Sequence, residues 1–470
     1  MQHLVKMAPT AALELRLAEF IVRDAPTVSD AEVRQASRHV ADLVGVAIAG
    51  TRLNAFHRLA EIVAVQPRQD QLSARIWGTN KRIPLREAGF INGFSGHILD
   101  FDDDETGYSI AHVTVTAATA AMVVADACSK VSGAEVIKAY VIGSETAMRL
   151  GEIINPGHFR SGWHASATLG CFAACAAAGR ILGLSPEQMR HGFGMCASFA
   201  SGMRANFGTE TKALQVGKAV RDGIFAAELA KAGLTSADGA LFGEQGFAFM
   251  FQQGRDVSHI IEGFGKPYRL FGNTMIIKAY PCCTASHTAI YSMLILRADN
   301  DFSAGDVVSI TCSIDAVAKG LLKYDTPTNA AEAKFSMHYS LAIAALRGSA
   351  GLAEFALEGA PGEEILSLME KIAVEVVSDL PNLPSGASVA STLNIELKDG
   401  RSLKRFQEFV PGSMEEPMSV NALEKKFIEC VHPAPRKAAS ELFVRLMNSG
   451  SISPFSSCIT SFQMGYLPLN

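Results

Sequence analysis

Five carboxylates crowd one short stretch, Asp100-Phe101-Asp102-Asp103-Asp104-Glu105, and a histidine follows in Ala111-His112-Val113. The stretch comes after an apolar run with helical spacing, and Asp100 falls one turn past His97. Negative charge at a helix C-terminus is unfavourable, so acids kept there point to a site that uses them rather than to a solvated loop. Metal binding is one such use. An EF-hand is excluded, because its glycine and terminal glutamate are missing at the required offsets. An Mg²⁺ site of the Asp-Asp-x-x-Asp kind would need an acid where Thr106 stands and a second acidic motif, and neither is found. No metal is expected.

Three further stretches carry chemistry. In Ser161-Gly162-Trp163-His164-Ala165-Ser166 a histidine opens an Ala-rich helix. The positive potential of a helix N-terminus lowers a histidine's pKa and keeps it neutral, fit to act as a base; a capped structural histidine is the plainer alternative. In Asn206-Phe207-Gly208-Thr209-Glu210-Thr211-Lys212-Ala213-Leu214 a lysine meets glycine and two threonines at another helix start. Backbone N–H groups with a lysine suit a carboxylate, although spacing alone favours a solvated charge. In Lys278-Ala279-Tyr280-Pro281-Cys282-Cys283-Thr284-Ala285-Ser286-His287 a strand end, a proline break and a histidine come together. Cys282 could be a nucleophile, but adjacent cysteines beside a strand usually pack.

The elements that must position these residues can be read from their punctuation. Ser29-Asp30-Ala31-Glu32, Ser132-Gly133-Ala134-Glu135 and Ser185-Pro186-Glu187-Gln188 each place a hydroxyl at an N-cap and a carboxylate or amide three residues on. The three helices they start run towards Gly50, Gly151 and Gly202, a residue type that ends helices in the left-handed conformation. Residues 84–100, 114–130, 165–182 and 211–233 are also long and lack strand alternation. After Gly265 the pattern turns to β-branched alternation at 273–279, 307–314, 392–397 and 402–406, the last two joined by a hairpin at Asp399-Gly400. Amphipathic segments at 285–297, 334–346 and 363–376 intervene, and helical spacing returns at 419–430 and 436–447. The fold class is therefore mainly α: a discontinuous all-α helical-bundle domain, residues 1–266 and 409–470, with an inserted smaller α+β domain at 267–408. Without a long polar linker the two parts should meet firmly across a cleft.

At 470 residues, with 48% hydrophobic and 19% charged side chains, the chain is globular and long enough for two cores. A net charge of -5 gives no global field for nucleic acid or anionic lipid. The opening residues lack a secretory h-region and no stretch reaches the length of a membrane span, so a cytoplasmic protein is expected. Nine cysteines without a C-x-x-C pair suggest neither disulfides nor zinc.

Taken in order, these stretches resemble the MmgE/PrpD family, which includes 2-methylcitrate dehydratases, cis-aconitate decarboxylases and an iminodisuccinate epimerase. The resemblance covers nearly the whole chain. It rests on Asn92-Gly93 with His97 and Asp100-Phe101-Asp102-Asp103, Gly162-Trp163-His164, Thr211-Lys212-Ala213-Leu214, Tyr280-Pro281 with His287, Ala333-Lys334-Phe335-Ser336 and Pro411-Gly412-Ser413. It implies a homodimer with a positively lined interdomain cleft, no cofactor, and active-site residues at Asp100, His112, His164, Lys212 and His287. The implied activity is a lyase acting on a small di- or tricarboxylic acid by removing a proton next to a carboxylate, 2-methylcitrate dehydratase-like, or alternatively an epimerase of an iminodisuccinate-type acid or a cis-aconitate-type decarboxylase. Lys212 or His164 would take the proton, His287 or His112 would assist the leaving group, and Asp100 would orient a histidine. A silent carboxylate-binding protein is the alternative of another class. The chain departs from the family pattern in three places: Asp104 follows the Asp-Phe-Asp-Asp run, His112 arrives after a longer loop and precedes Val113, and Ala213 and Gln215 replace a proline and a histidine.

Overall fold

The computed structural model describes residues 9–252 and 256–462; the amino-terminal seven residues considered for a signal lie outside them. The chain is mainly α-helical. The helices that build the site are α1 (Asp30–Gly50), α2 (Leu85–His97), α3 (Val113–Cys128), α4 (Gly133–Ile154), α5 (Ala165–Leu182), α6 (Pro186–Phe199), α7 (Thr211–Lys231), α8 (His287–Asn300), α9 (Met337–Arg347), α10 (Val420–Val431) and α11 (Arg436–Met447). All three expected capping boxes form, at Ser29, Ser132 and Ser185.

The glycine stops hold only in part. Helix α1 ends at Gly50 but without a left-handed residue there, α4 continues past Gly151, and α6 ends at Phe199 before Gly202. Gly50 and Gly151 serve close packing instead: a Cβ on Gly50 would lie 2.1 Å from the Ser95 carbonyl oxygen, and one on Gly151 2.4 Å from Ser109 Cα. Helix ends and tight contacts both select glycine, and sequence alone does not separate them.

Helix α5 sits centrally against α3, α4 and α7. Among the described residues it is the one helix long and apolar enough to cross a membrane, yet 89% of it is buried here. Its many alanines let neighbours approach and keep the interior dense. Helices α2 and α7 also pack closely, because a side chain at Gly217 would strike the Phe90 carbonyl oxygen at 2.4 Å. That approach brings the start of α7, with Lys212, against the end of α2, with His97.

One buried cluster joins residues of these helices with Leu423, Phe427 and Leu442 from α10 and α11. A second runs from Cys282 to Leu397 and includes Phe207. The second cluster lies on a four-stranded sheet of β3 (Val307–Ile314), β4 (Ile372–Val376), β5 (Ser391–Leu397) and β6 (Ser402–Gln407), in the order β4-β3-β5-β6. Strands β5 and β6 form the expected hairpin, with Thr392 opposite Phe406. Residues 363–376, expected as one amphipathic helix, divide into a helix Glu363–Met369 and strand β4, which runs parallel to β3. The β-branched run Ile372-Ala373-Val374 prefers the pleated surface. The strand expected at 273–279 shrinks to β2 (Met275–Ile276), and its partner is β1 (Asp104–Glu105) rather than the sheet. This short ladder ties the acidic stretch to the segment that carries Lys278.

Candidate active site

The five acids are sorted by the extended backbone that carries them. Side chains alternate across such a segment, so Asp102 and Asp104 share a side with His112 while Asp103 points away to His39 and Thr114, at 2.5 and 2.6 Å. Glu105 closes the following turn by accepting from the backbone N–H groups of Gly107 and Tyr108 at 2.7 and 2.9 Å and from that of Ser109. Asp100 turns the chain out of α2 with φ of 52°, in the left-handed region that aspartate tolerates better than most residues.

Asp100 is the electrostatic hub. Its Oδ1 accepts from Lys212 Nζ at 2.8 Å and from Lys278 Nζ at 3.1 Å, and Lys278 also donates to its main-chain carbonyl at 3.0 Å. Burial alone would raise the carboxyl, but Lys212, Lys278 and two nearby histidines hold it well below the ordinary range. Asp100 Oδ2 has no partner among the described residues. Lys278, fully buried, is raised above the ordinary lysine value because Asp100, Asp104 and Asp102 outweigh its burial.

Lys212 Nζ donates to His97 Nε2 at 2.7 Å. An ammonium has no lone pair to offer, so Nε2 is the acceptor and the His97 proton sits on Nδ1, which donates to Asp102 at 2.9 Å. Burial lowers His97 to about 4, against the pull of Asp102. The lysine expected as a solvated charge is thus buried at the centre of a network. His97, Asp100, Asp102 and His112 have the composition and spacing of a metal set, but the His97 Nε2 lone pair a cation would use already receives Lys212.

The two histidines that line the pocket are pushed in opposite directions. His164 precedes α5, and its Nδ1 faces Gln215 Oε1 at 2.7 Å. The Gln215 amide nitrogen donates to the Met203 carbonyl, so Oε1 is the acceptor and Nδ1 carries the proton. His164 Nε2 is left as a buried lone pair without a partner among the described residues. Burial, the Lys212 ammonium and the His97 ring push His164 well below its ordinary value. His112 precedes α3, with its backbone N–H donating to Ser166 Oγ at 3.0 Å. Its Nδ1 lies 3.1 Å from Asp102 Oδ2 in a charge contact, and its Nε2 is 3.7 Å from both Asp100 and Asp104. Burial would lower His112, but Asp102 and Asp104 together raise it.

Asp100, His112, His164 and Lys212 therefore line one pocket, with Asp104, Lys278, Cys283, Thr284 and the apolar walls Phe207, Leu321 and Phe335. His287 does not. Its ring is wholly buried behind the Tyr280–Ser286 segment, where Nε2 meets the Cys282 carbonyl at 3.2 Å, and burial lowers it to about 3. Cys282 has its thiol pushed up to about 12 by burial, the state of a packing cysteine. The residues that sequence reasoning did not place in the site are His97, Lys278, Asp104 and Gln215. His97 and Lys278 stood inside quoted motifs, whereas Gln215 was visible only as the replacement of a histidine. Lys278 reaches Asp100 because Gly412, at φ of 97°, lets the Pro411-Gly412-Ser413 turn close on Ile277, whose carbonyl oxygen would sit 1.9 Å from any Cβ there.

The pocket encloses about 50 Å³, room for a few waters. A larger cavity of about 850 Å³ lies beside Trp163 and Phe247, but its charged lining residues are Asp238 and Glu244. That is the wrong sign for an anionic acid.

The family model for the MmgE/PrpD N-terminal domain matches residues 15–260, and that for the MmgE/PrpD C-terminal domain matches residues 280–447. Among curated relatives, the chain is 26% identical over 417 residues to a cis-aconitate decarboxylase of Mus musculus, covering 85% of this chain and 82% of that protein. It is 26% identical over 411 residues to the Homo sapiens protein of the same name, covering 85% and 83%. A cis-aconitate decarboxylase of Aspergillus terreus (strain NIH 2624 / FGSC A1156) is 26% identical over 378 residues, covering 76% of each chain.

Proposed function

Because this chain belongs to the MmgE/PrpD family, we propose that it is a cofactor-independent lyase that removes a proton next to a carboxylate of a small di- or tricarboxylic acid. One observation carries the reading: a neutral histidine with a free lone pair, His164, and a histidine that Asp102 and Asp104 bias towards its protonated form, His112, line the same lysine-bearing pocket. Groups whose pKa values are driven apart divide into base and acid.

In this scheme Lys212 and Lys278 hold the substrate carboxylates, and His164 Nε2 takes the adjacent proton. The ammonium groups stabilise the charge that builds on the carboxylate in the transition state. His112 Nε2 then delivers a proton to the departing hydroxyl, releasing water. Asp100 keeps the two lysines in place, and His287 supports the Tyr280–Ser286 segment from behind. The pocket holds less volume than a tricarboxylic acid, so binding requires it to widen. We assign residues 1–266 and 409–470 to a discontinuous helical domain and 267–408 to an inserted α+β domain, with the pocket between them. A cytoplasmic homodimer is the proposed working form.

Decarboxylation is the second reading, favoured by the names of the relatives. It shares the carbanion-like intermediate, with His112 returning its proton to carbon instead of oxygen. The test is a screen of 2-methylcitrate, cis-aconitate and iminodisuccinate in D₂O with products identified by NMR. Loss of water, loss of CO₂ and deuterium uptake with inversion distinguish the three outcomes. Binding of these acids with neither turnover nor exchange would leave a carboxylate-binding protein and refute the enzyme.

A further inference from the structure

Behind the acidic stretch, on the side away from the pocket, one buried ammonium makes contacts that the reaction scheme leaves unused. Lys426 stands on α10, near the far end of the chain. Its Nζ donates to the Phe101 carbonyl at 2.8 Å and to the Lys278 carbonyl at 2.9 Å, and lies 2.6 Å from Asp42 Oδ1. The two carbonyls take two of the three ammonium protons, and Asp42 stands beside them as the counter-charge. The same Nζ lies 3.9 Å from the centre of the Phe101 ring.

The two carbonyls are well chosen. One belongs to the residue after Asp100, and the other to Lys278 itself, whose own ammonium returns to Asp100. Lys426, Lys278 and the Asp100–Phe101 backbone therefore form a closed ring of contacts. Asp100 is held within that ring at φ of 52°, a conformation that persists for a non-glycine residue only where the surroundings over-determine it. Asp42 balances the charge of Lys426, and is itself raised to about 6 by burial against the pull of that lysine.

We propose that Lys426 is a positioning residue for the reaction, fixing Asp100 and Lys278 relative to each other from the face opposite the substrate. This rests on the reading of the pocket as a catalytic site. A helix that reaches the site only after the whole inserted segment thereby sets the geometry of its central carboxylate. Removing the clamp shifts the reacting groups without removing any of them, so binding survives better than turnover. Misplacement of this kind costs on the order of a hundredfold in kcat.

The experiment uses the full chain and the acid identified by the screen of 2-methylcitrate, cis-aconitate and iminodisuccinate. Lys426→Met should lower kcat about a hundredfold while KM moves by no more than about threefold. It also orphans Asp42, so it should be less stable. The double variant Asp42→Asn with Lys426→Met removes both charges. Its thermal stability should recover towards wild type while kcat stays low, a split that a purely structural lysine would not give. Lys426→Gln keeps an uncharged amide with two N–H donors and carries the test if the methionine variants do not fold; its expected kcat is intermediate at unchanged KM. Wild-type kcat in any folded variant overturns the inference, and so does kcat returning together with stability in the double variant. If wild type turns over none of the three acids and exchanges no protons, the catalytic reading of the pocket fails, and the inference with it.

Discussion

Replacing Lys212 by alanine tests the site at its most connected point. A surface lysine could be truncated for no more than about half a kcal/mol. Lys212 is buried instead, and its ammonium serves both His97 Nε2 and Asp100 Oδ1. Breaking a buried ion pair by removing one partner costs about 3–5 kcal/mol when the other charge is left alone. Here Lys278 stays on Asp100 at 3.1 Å, so the loss should fall near the lower end, about 3 kcal/mol. Catalysis should suffer separately, because a charge-assisted contact to the substrate disappears and His97 Nε2 loses its donor. A loss of at least about a hundredfold in kcat/KM is expected. Urea unfolding gives the first number, and initial rates on the substrate found by screening give the second. Lys212→Arg separates two roles, since it keeps the charge but cannot take up a proton near neutral pH. Activity retained by arginine would mark Lys212 as a binding group, as the scheme requires. A stability change below half a kcal/mol with wild-type rates would refute both the burial argument and the site.

Further outcomes follow from the same geometry. His164→Asn should lower kcat by about 10²–10⁴-fold with the fold intact, because the free Nε2 is lost; rates within a few-fold of wild type would remove His164 as base. The pH–rate profile should fall on the alkaline side as His112, raised above the ordinary histidine value, loses its proton, while the base limb lies far to the acid side because His164 is lowered; a profile still rising through pH 8 would contradict the acid assignment. Stability should drop on acidification. His97 and His287 titrate at about 4 and about 3 when folded and near 6.5 when unfolded, so the unfolded chain binds more protons between those values and unfolding becomes easier as pH falls through that window. Melting temperatures unchanged between pH 7 and pH 4.5 would argue against neutral buried rings. Cys282→Ala should keep turnover within about threefold, since its thiol is raised and it does not line the pocket; inactivation with the fold intact would revive a nucleophile.

Much of this architecture is written in local chemistry, and the failures have physical causes. Ser29, Ser132 and Ser185 announced their helices because a capping box is complete within four residues. Gly151 misled because the contact that requires it comes from Ser109, unrelated in spacing. The same division runs through the site. Asp100, His112, His164 and Lys212 stand in motifs whose types already suggest chemistry, and all four line the pocket. Lys278 could not be separated from an ordinary strand lysine without knowing that the Gly412 turn and β1 bring its backbone to Asp100. Gln215 looked like a loss, yet it holds the His164 tautomer through Oε1.

The alternation of Asp102, Asp103 and Asp104 makes the acidic stretch sensitive to frame. Deleting one residue between Phe101 and Asp104 would exchange the two faces, handing His39 a partner meant for the pocket and leaving His112 opposite the wrong carboxylate. A change of length there alters every one of these pairings at once. The next segment behaves in the opposite way. Glu105 and Ala111 bridge to each other, and the Glu105 carboxylate gathers the turn between them, so residues 106–110 form a closed excursion whose two ends are fixed side by side. The later arrival of His112 along the chain is taken up within that closed excursion, between ends that stay side by side.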